Sequence, residues 1–183
     1  MDISMDMLER MDTQDVFDYC ASHMLMQGKR GCDERGKCMY RAPGGGRCAV
    51  GFLIPDSIYS PIMEHRYAGD LAAMLETTWY GHRFARFLRA HIGLLHELQA
   101  IHDGREPGAW QTELYALAQR RGLDVTVVRL LRNPVRVVLA ARETTLAGTR
   151  PSQPMFYAVP LPSFMEADHG SKKHEETREV STA

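Results

Sequence analysis

Residues 38–56 read Cys38-Met-Tyr-Arg-Ala-Pro-Gly-Gly-Gly-Arg-Cys48-Ala-Val-Gly-Phe-Leu-Ile-Pro-Asp56 and carry the strongest local pattern in the chain. Two short runs suited to extended structure, residues 36–41 and 47–50, flank a turn of one proline and three glycines. This arrangement is typical of a small β-hairpin. The apolar run after Cys48 leaves a second possibility open, in which the second arm passes directly into a helix.

Around this stretch, apolar residues recur at the three- and four-residue spacing of helices. The predicted helices cover residues 14–27, 71–76, 83–103 and 108–121. Asp12 or Thr13 supplies an N-cap for the first helix, and Gly28 ends it. Pro107 and Gly122 bracket the last helix in a similar way. We therefore expect a predominantly helical domain.

The pattern changes after Gly122. Residues 125–131 and 135–141 are apolar and β-branched, which favours a pair of strands, although a helix over residues 127–136 with an arginine stripe also fits. We therefore predict an α+β fold, a predominantly helical domain with a small β-hairpin and a β-prone C-terminal element. The expected parts are a flexible acidic lead-in (1–12), the helical domain with its hairpin (13–122), a β-prone or extended element (123–165) and a disordered tail (166–183).

Composition and charge narrow the class of protein. The chain has 183 residues, of which 44% are hydrophobic and 25% charged, and its net charge of −1 argues against a general polyanion-binding protein. Acidic residues predominate in residues 1–18, and arginines predominate in residues 117–150. This asymmetry marks either an interaction surface or two solvated faces that attract each other.

Neither a membrane span nor a secretory signal is expected, because the chain has no run of about 18 apolar residues and no basic-then-apolar leader. Its four cysteines do not make a disulfide scaffold in a chain of this length. These features predict a cytoplasmic protein with reduced thiols, no membrane partner and no cofactor.

Cys48 is the candidate nucleophile. It follows the glycine-rich turn and precedes an apolar run, which is the position of a helix N-terminus. Free amides and the helix dipole stabilise a thiolate and an oxyanion there. However, no histidine stands in a pattern typical of cysteine hydrolases. The commoner alternative is a buried cysteine that packs at the start of the helix.

Two further groups of residues are candidates for a chemical role. Cys20, His23, Cys32 and Cys38 are candidate metal ligands, but no Cys-x-x-Cys knuckle supports zinc, so buried small side chains are the favoured interpretation. His102-Asp103 is the dipeptide used by metal-dependent phosphohydrolases. It also suits a helix C-terminus, because an imidazole interacts well with the free carbonyls there.

Arginines and aromatic residues are the candidates for partner binding. These candidates are Arg129, Arg132, Arg136, Trp79 and Tyr80. If their segment is helical, the three arginines form a stripe like that of Arg83, Arg86 and Arg89 in the predicted long helix. Such a stripe suits either the phosphates of a nucleic acid or a solvated helix face. The two aromatic residues suit a protein interface, and equally the core between short helices.

The chain resembles a group of small uncharacterised proteins from bacteria and their phages. The elements that carry the resemblance are Cys38-Met-Tyr-Arg41, Arg47-Cys-Ala-Val-Gly51, Leu53-Ile-Pro-Asp56, Leu98-Gln-Ala-Ile-His-Asp103 and Pro107 with Trp110. They match the order C-x-Y-R, C-A-V-G-x-L-I-P-D, L-Q-x-I-H-D and a tryptophan in that group. The resemblance covers about residues 14–120 and implies a bacterial or phage origin and a compact, mainly helical domain. It transfers no catalytic residues.

These observations favour a non-enzymatic bacterial or phage accessory protein that binds and modulates a host protein. Two alternatives stay open. One is a cysteine-dependent hydrolase or transferase that uses Cys48. The other is a nucleic-acid-binding protein that uses the arginine-rich region 120–150.

Overall fold

The computed structural model describes residues 3–78 and 81–131. Within these residues the chain forms seven α-helices and three 3-10 turns, and no β-strand. The helices are α1 (Met5–Leu8), α2 (Thr13–Gln27), α3 (Ala68–Glu76), α4 (His82–Ala90), α5 (Ile92–Gly104), α6 (Trp110–Arg121) and α7 (Thr126–Leu130). The 3-10 turns are Gly51–Leu53, Pro61–Met63 and Pro107–Ala109. The predicted α+β class is therefore wrong for the described residues, while the predominance of helix is confirmed.

The first predicted helix forms as α2 because both of its ends are capped. The Asp12 side chain accepts the Asp15 N–H (2.9 Å), and the Asp15 side chain accepts the Asp12 N–H (3.1 Å). Gly28 ends the helix in the left-handed conformation, with φ at 60°. The buried residues of α2 lie on the side of the helix that contacts α5, α6 and α7. These are Val16, Phe17, Cys20, Ala21 and Met24.

The long helix predicted over residues 83–103 is two helices, α4 and α5, separated at His91. His91 has φ −112° and ψ 11°, and its N–H is shared between the carbonyls of Phe87 and Leu88, both at 3.3 Å. Both helices bury apolar residues in the same core, so the apolar spacing continues through the break. Periodicity therefore predicted the helical residues but not the interruption.

The predicted β-hairpin over residues 36–50 is wrong, although its turn forms. The Ala42 N–H donates to the Gly46 carbonyl (2.8 Å), and the Gly45 N–H donates to the Ala42 carbonyl (2.9 Å). Beyond this turn one backbone hydrogen bond joins the arms, from the Cys48 N–H to the Met39 carbonyl (3.1 Å). No ladder forms, because side chains from elsewhere in the chain take other backbone groups that a ladder would need.

Two polar side chains replace the strand pairing. The Gln27 amide, at the end of α2, bonds the N–H of Arg47 (2.8 Å) and its carbonyl (2.9 Å). The Glu64 carboxylate accepts the N–H groups of Tyr40 (2.7 Å) and Arg41 (3.0 Å). With these groups satisfied, the chain after Cys48 folds into the 3-10 turn Gly51–Leu53.

The N-terminal residues of the described chain pack on the core. Residues 3–11 belong to the segment predicted to be a flexible lead-in, yet they include α1. Ile3 and Leu8 are buried, at 3% and 0% exposure. The start of the described chain is therefore part of the hydrophobic core.

The C-terminal residues of the described chain are helical rather than extended. Residues 126–130, predicted to be β-prone, form α7 and bury Val127 and Val128. The Gln14 side chain accepts the N–H of Asp124 (2.8 Å) and donates to its carbonyl (3.2 Å), which joins α2 to the chain just before α7. The rest of the predicted element 123–165 and the predicted tail 166–183 lie outside the described residues. No helix in residues 3–78 or 81–131 has both the length and the apolar character needed to cross a bilayer.

A side chain at Gly51 has no space. A Cβ atom there would lie 2.2 Å from the Tyr40 carbonyl oxygen. We expect Gly51→Ala to lower the free energy of unfolding by about 3 kcal/mol, because the two backbone segments must move apart. Urea unfolding followed by circular dichroism measures this. Gly44→Ala is the matched control, since its Cβ position is open, and we expect a change within about 0.5 kcal/mol. Equal losses for the two variants would contradict the close approach.

Asp18 makes the stability of the fold depend on pH. Burial raises the pKa of this half-buried carboxyl from 3.8 to about 6, and the carboxylates of Asp124, Asp15 and Asp12 add to the shift. The folded state therefore holds the Asp18 proton more tightly than the unfolded state does. As a result, stability falls as the pH rises from about 4 to about 6.

We expect Asp18→Asn to remove this fall. At pH 7 the variant should gain about 1 kcal/mol over the wild type relative to their difference at pH 4, after allowance for solvent screening. Urea unfolding at a series of pH values measures the gain. Parallel profiles for the two proteins would contradict the role assigned to Asp18.

Candidate functional site

A short loop brings two cysteine side chains together. Two backbone hydrogen bonds of 2.8 Å close the loop over residues 31–39, one on each side of Cys32 and Cys38. The two cysteines form an isolated antiparallel bridge of the non-hydrogen-bonded type, in which side chains come closest. Their Sγ atoms are 3.3 Å apart, and both are free thiols.

His102 and Asp103 reach the same place from the last turn of α5. The His102 ring is fully buried and stacks on Trp110, with 5.1 Å between ring centroids. The Gly31 N–H donates to His102 Nε2 (3.3 Å). Nε2 therefore carries the lone pair, and the ring proton is on Nδ1. Nδ1 donates to Asp103 Oδ1 at 2.7 Å, which fixes the carboxylate.

We call Cys32, Cys38, His102 and Asp103 the thiol–carboxylate cluster. The Cys38 Sγ and the nearest polar atoms of His102 and Asp103 all lie within 4.8 Å of one another. Burial, followed by hydrogen bonds to Asp103 and Cys32, raises the pKa of the Cys38 thiol well above its ordinary range. Without a cation, this thiol therefore keeps its proton at neutral pH.

An open groove of about 750 Å³ lies beside the cluster. It runs between α3 and α5, and its lining residues are Tyr67, Gly69, Asp70, His96, Gln99, Ala100, Asp103 and Gly104. Asp103 belongs to both the cluster and the groove, so the cluster is accessible from the groove. The Gln99 side chain is buried and accepts the N–H of Ala68 (3.2 Å), which fixes α3 against α5.

The segment that leads into α3 presents two large apolar side chains to solvent. Ile62 is 65% exposed and Tyr67 is 68% exposed. Tyr67 also lines the groove, so apolar surface lies at the groove's edge. Single exposed apolar side chains are common on protein surfaces, but two in one short segment beside a groove offer apolar contact area to a partner.

Hydrogen bonds attach this segment to the rest of the chain. Besides two backbone amides, the Glu64 carboxylate accepts the hydroxyl of Tyr59 (2.8 Å). The Tyr40 hydroxyl donates to the Arg66 carbonyl (2.6 Å). His65 lies in the left-handed region with φ at 62°, which few residues other than glycine adopt. Segment 60–67 is thus held to residues 40 and 41 of the α2–α3 loop by side-chain hydrogen bonds.

The structure places Cys48 in the core rather than at a reactive position. Its side chain is 3% exposed. It precedes a 3-10 turn instead of an α-helix, so the expected helix dipole does not act on it. Burial raises the pKa of this thiol to about 12. The geometry therefore favours the packing role over the nucleophile.

The predicted set of metal ligands is divided between two places. Cys20 donates from Sγ to the Ala49 carbonyl (3.4 Å) and is fully buried, which raises its pKa. The His23 ring lies 5.1 Å from that of Phe52, and its Nδ1 is 2.8 Å from the Tyr19 carbonyl. Only Cys32 and Cys38 of this set belong to the thiol–carboxylate cluster. The sequence treated these cysteines and His102-Asp103 as separate candidates, because nothing in their spacing shows that the loop folds onto α5.

The arginines of α4 form ion pairs. Arg83 binds Asp6 (3.0 Å) and Glu9 (2.6 Å), Arg86 binds Glu9 (3.1 Å), and Arg89 binds Glu76. The hydrogen bond from Arg83 is the largest cause that lowers the pKa of Glu9, to about 2. Two acidic residues of the N-terminal segment, Asp6 and Glu9, are therefore paired with arginines of the same chain.

Arg129 is the one predicted partner-binding residue within residues 3–78 and 81–131. Its guanidinium lies over the Tyr115 ring (5.5 Å) and donates to the Tyr115 hydroxyl (3.1 Å). Trp79, Tyr80, Arg132 and Arg136 lie outside the described residues. No sequence signal distinguished Ile62 or Tyr67, because single apolar residues between turns are common whether exposed or buried.

No protein-family model, curated protein or solved structure matches this chain. The resemblance to small bacterial and phage proteins stays a prediction. Function must therefore be inferred from the geometry of the chain itself.

Burial of Cys48 predicts slow alkylation. At neutral pH, we expect iodoacetamide to modify Cys48 in the folded protein at least about a hundredfold more slowly than in a urea-denatured control, because the thiolate fraction falls tenfold per pKa unit. Timed quenching followed by peptide mass spectrometry measures both rates. Labelling of folded Cys48 as fast as in the control would restore it as a candidate nucleophile.

Proposed function

We propose that this chain is a non-enzymatic accessory protein that acts by binding another protein, with a bacterial host protein as its target and the cytoplasm as its location. The observation that supports this most is the pair of exposed apolar side chains, Ile62 and Tyr67, on a segment that side-chain hydrogen bonds hold to the rest of the chain. A segment held in this way loses less conformational entropy on association than a free one, which favours affinity.

The groove adds charge to this apolar edge. Asp70 and Asp103 line the groove next to Tyr67. A partner that fits presents an apolar side chain for the edge and a basic side chain for the Asp70 carboxylate. Such a combination of an apolar centre and a polar surround is typical of protein interfaces.

The two alternative functions have less support. A hydrolase or transferase that uses Cys48 needs a thiolate, which the buried thiol does not provide. The nucleic-acid alternative rests on the arginines of residues 120–150. Of these, Arg121 pairs with Glu97 and Arg129 donates to the Tyr115 hydroxyl, while those after residue 131 lie outside the described residues. Binding of a protein partner makes use of the exposed features of the described residues.

If Ile62 and Tyr67 contact the partner, their replacement should reduce the amount of partner recovered in a capture experiment. Affinity-tagged full-length chain is incubated with lysate of the organism that encodes it, or of its host, and captured proteins are quantified by mass spectrometry. We expect a partner well above background. The double variant Ile62→Ser/Tyr67→Ser should recover on the order of tenfold less, because each 1.4 kcal/mol of lost contact energy weakens binding tenfold.

Met26→Ser is the matched control. Met26 is also exposed (49%) but belongs to α2, so we expect its variant to recover as much partner as the wild type. Recovery of nothing above background would count against the function. A partner that is captured equally by the wild type and the double variant would show that a different surface binds it.

A further inference from the structure

The thiol–carboxylate cluster combines soft and hard ligands at one point. We propose that Cys32, Cys38 and Asp103 bind a single Zn²⁺ ion, with the fourth coordination position open toward the groove. The set differs from the ligands predicted from sequence, since Cys20 and His23 have no part in it and Asp103 does.

Two of the three pairs of ligand atoms lie near the spacing that a tetrahedral ion requires. Two thiolates bound to one zinc at about 2.3 Å each lie about 3.8 Å apart, and a thiolate and a carboxylate oxygen lie about 3.6 Å apart. The Sγ atoms of Cys32 and Cys38 are 3.3 Å apart, so they need to separate by only about 0.5 Å. The donor atoms of Cys38 and Asp103 lie within 4.8 Å of each other, in a group that contains His102 but not Cys32, so the Cys32 side chain must turn toward Asp103 when the ion binds.

His102 supports the site without binding the metal. A zinc-bound Nδ1 would require the proton on Nε2, where it would face the Gly31 N–H, and two donors cannot share a hydrogen bond. His102 therefore keeps its proton on Nδ1 and donates it to Asp103 Oδ1. Metal-ligating carboxylates are commonly held in this way by a second residue. Because the ring is fully buried against Trp110, it orients Asp103 rigidly.

Charge and ligand softness identify the ion. No arginine or lysine in the part of the chain that the structure describes forms an ion pair with Asp103, whose charged contact is with His102. When the two thiols release their protons to solvent, the site gains two more negative charges, which a divalent cation offsets. Thiolate ligands select zinc over magnesium or calcium, which prefer sites made of oxygen atoms.

The fourth coordination position of the proposed zinc ion is available to a ligand from outside the chain. Three protein ligands leave one position of a tetrahedral ion for a water molecule or a group from outside the chain. Asp103 lines the groove, so this position faces the space between α3 and α5. A metal ion there binds the loop over residues 31–39 to the last turn of α5, in addition to the His102 hydrogen bonds.

Titration of the full-length chain with cobalt tests the site. The protein is reduced, freed of metal and kept anaerobic, then titrated with Co²⁺, whose thiolate charge-transfer absorption reports sulfur ligation. We expect saturation at one equivalent and displacement by one equivalent of Zn²⁺. Cys32→Ser and Cys38→Ser should abolish the absorption, and Asp103→Asn should weaken Zn²⁺ binding by at least about tenfold. Cys48→Ala is the control and should bind as the wild type does.

Circular dichroism separates loss of ligands from loss of fold. If Cys32→Ser or Cys38→Ser unfolds, the Asp103→Asn variant is used to test whether the ligand set is correct. Asp103 is partly exposed and asparagine keeps its side-chain shape, so this variant is expected to fold. Absence of cobalt absorption in the folded wild type would overturn the proposal. So would absorption that survives in both serine variants, or a Cys32–Cys38 disulfide that forms in place of metal binding under these reducing conditions. None of these readouts depends on whether a protein partner is found.

Discussion

The hydrogen bond from the Gly31 amide to the His102 ring is a buried link between two parts of the molecule. On one side is the irregular region between α2 and α3, and on the other is the buried helix α5. The acceptor is fully buried, so loss of the bond would leave polar groups unsatisfied in the core. The ring also donates its Nδ1–H to Asp103, and Gly31 is the residue at which the cysteine loop is attached to α5.

A second constraint shapes the irregular region itself. Its backbone groups are satisfied by single side chains, the Gln27 amide at Arg47 and the Glu64 carboxylate at Tyr40 and Arg41, where a sheet would use a second strand. Each of these residues lies at the edge of a regular element or turn. The arrangement satisfies the backbone groups without a sheet, and it leaves Ile62 and Tyr67 exposed.

The sequence predicted what is determined locally. The helix α2 and the end of α6 follow from Asp12, Gly28 and Gly122, whose effects act within one turn of the chain. The hairpin prediction failed because Glu64, more than twenty positions away, competes for the arm. The cluster was missed for the same reason, since His102 meets Gly31 across 71 positions and no spacing rule covers such a distance.

The pairing of Gln14 with Asp124 has a consequence for how the chain is made. These residues are 110 positions apart, so α2 leaves the ribosome long before the segment that it contacts. At about 5–20 residues per second, this interval lasts roughly 5 to 20 seconds. During that time the apolar face of α2 has no lasting cover from α6 or α7. The contacts that cover this face therefore form only near the end of synthesis of the described region.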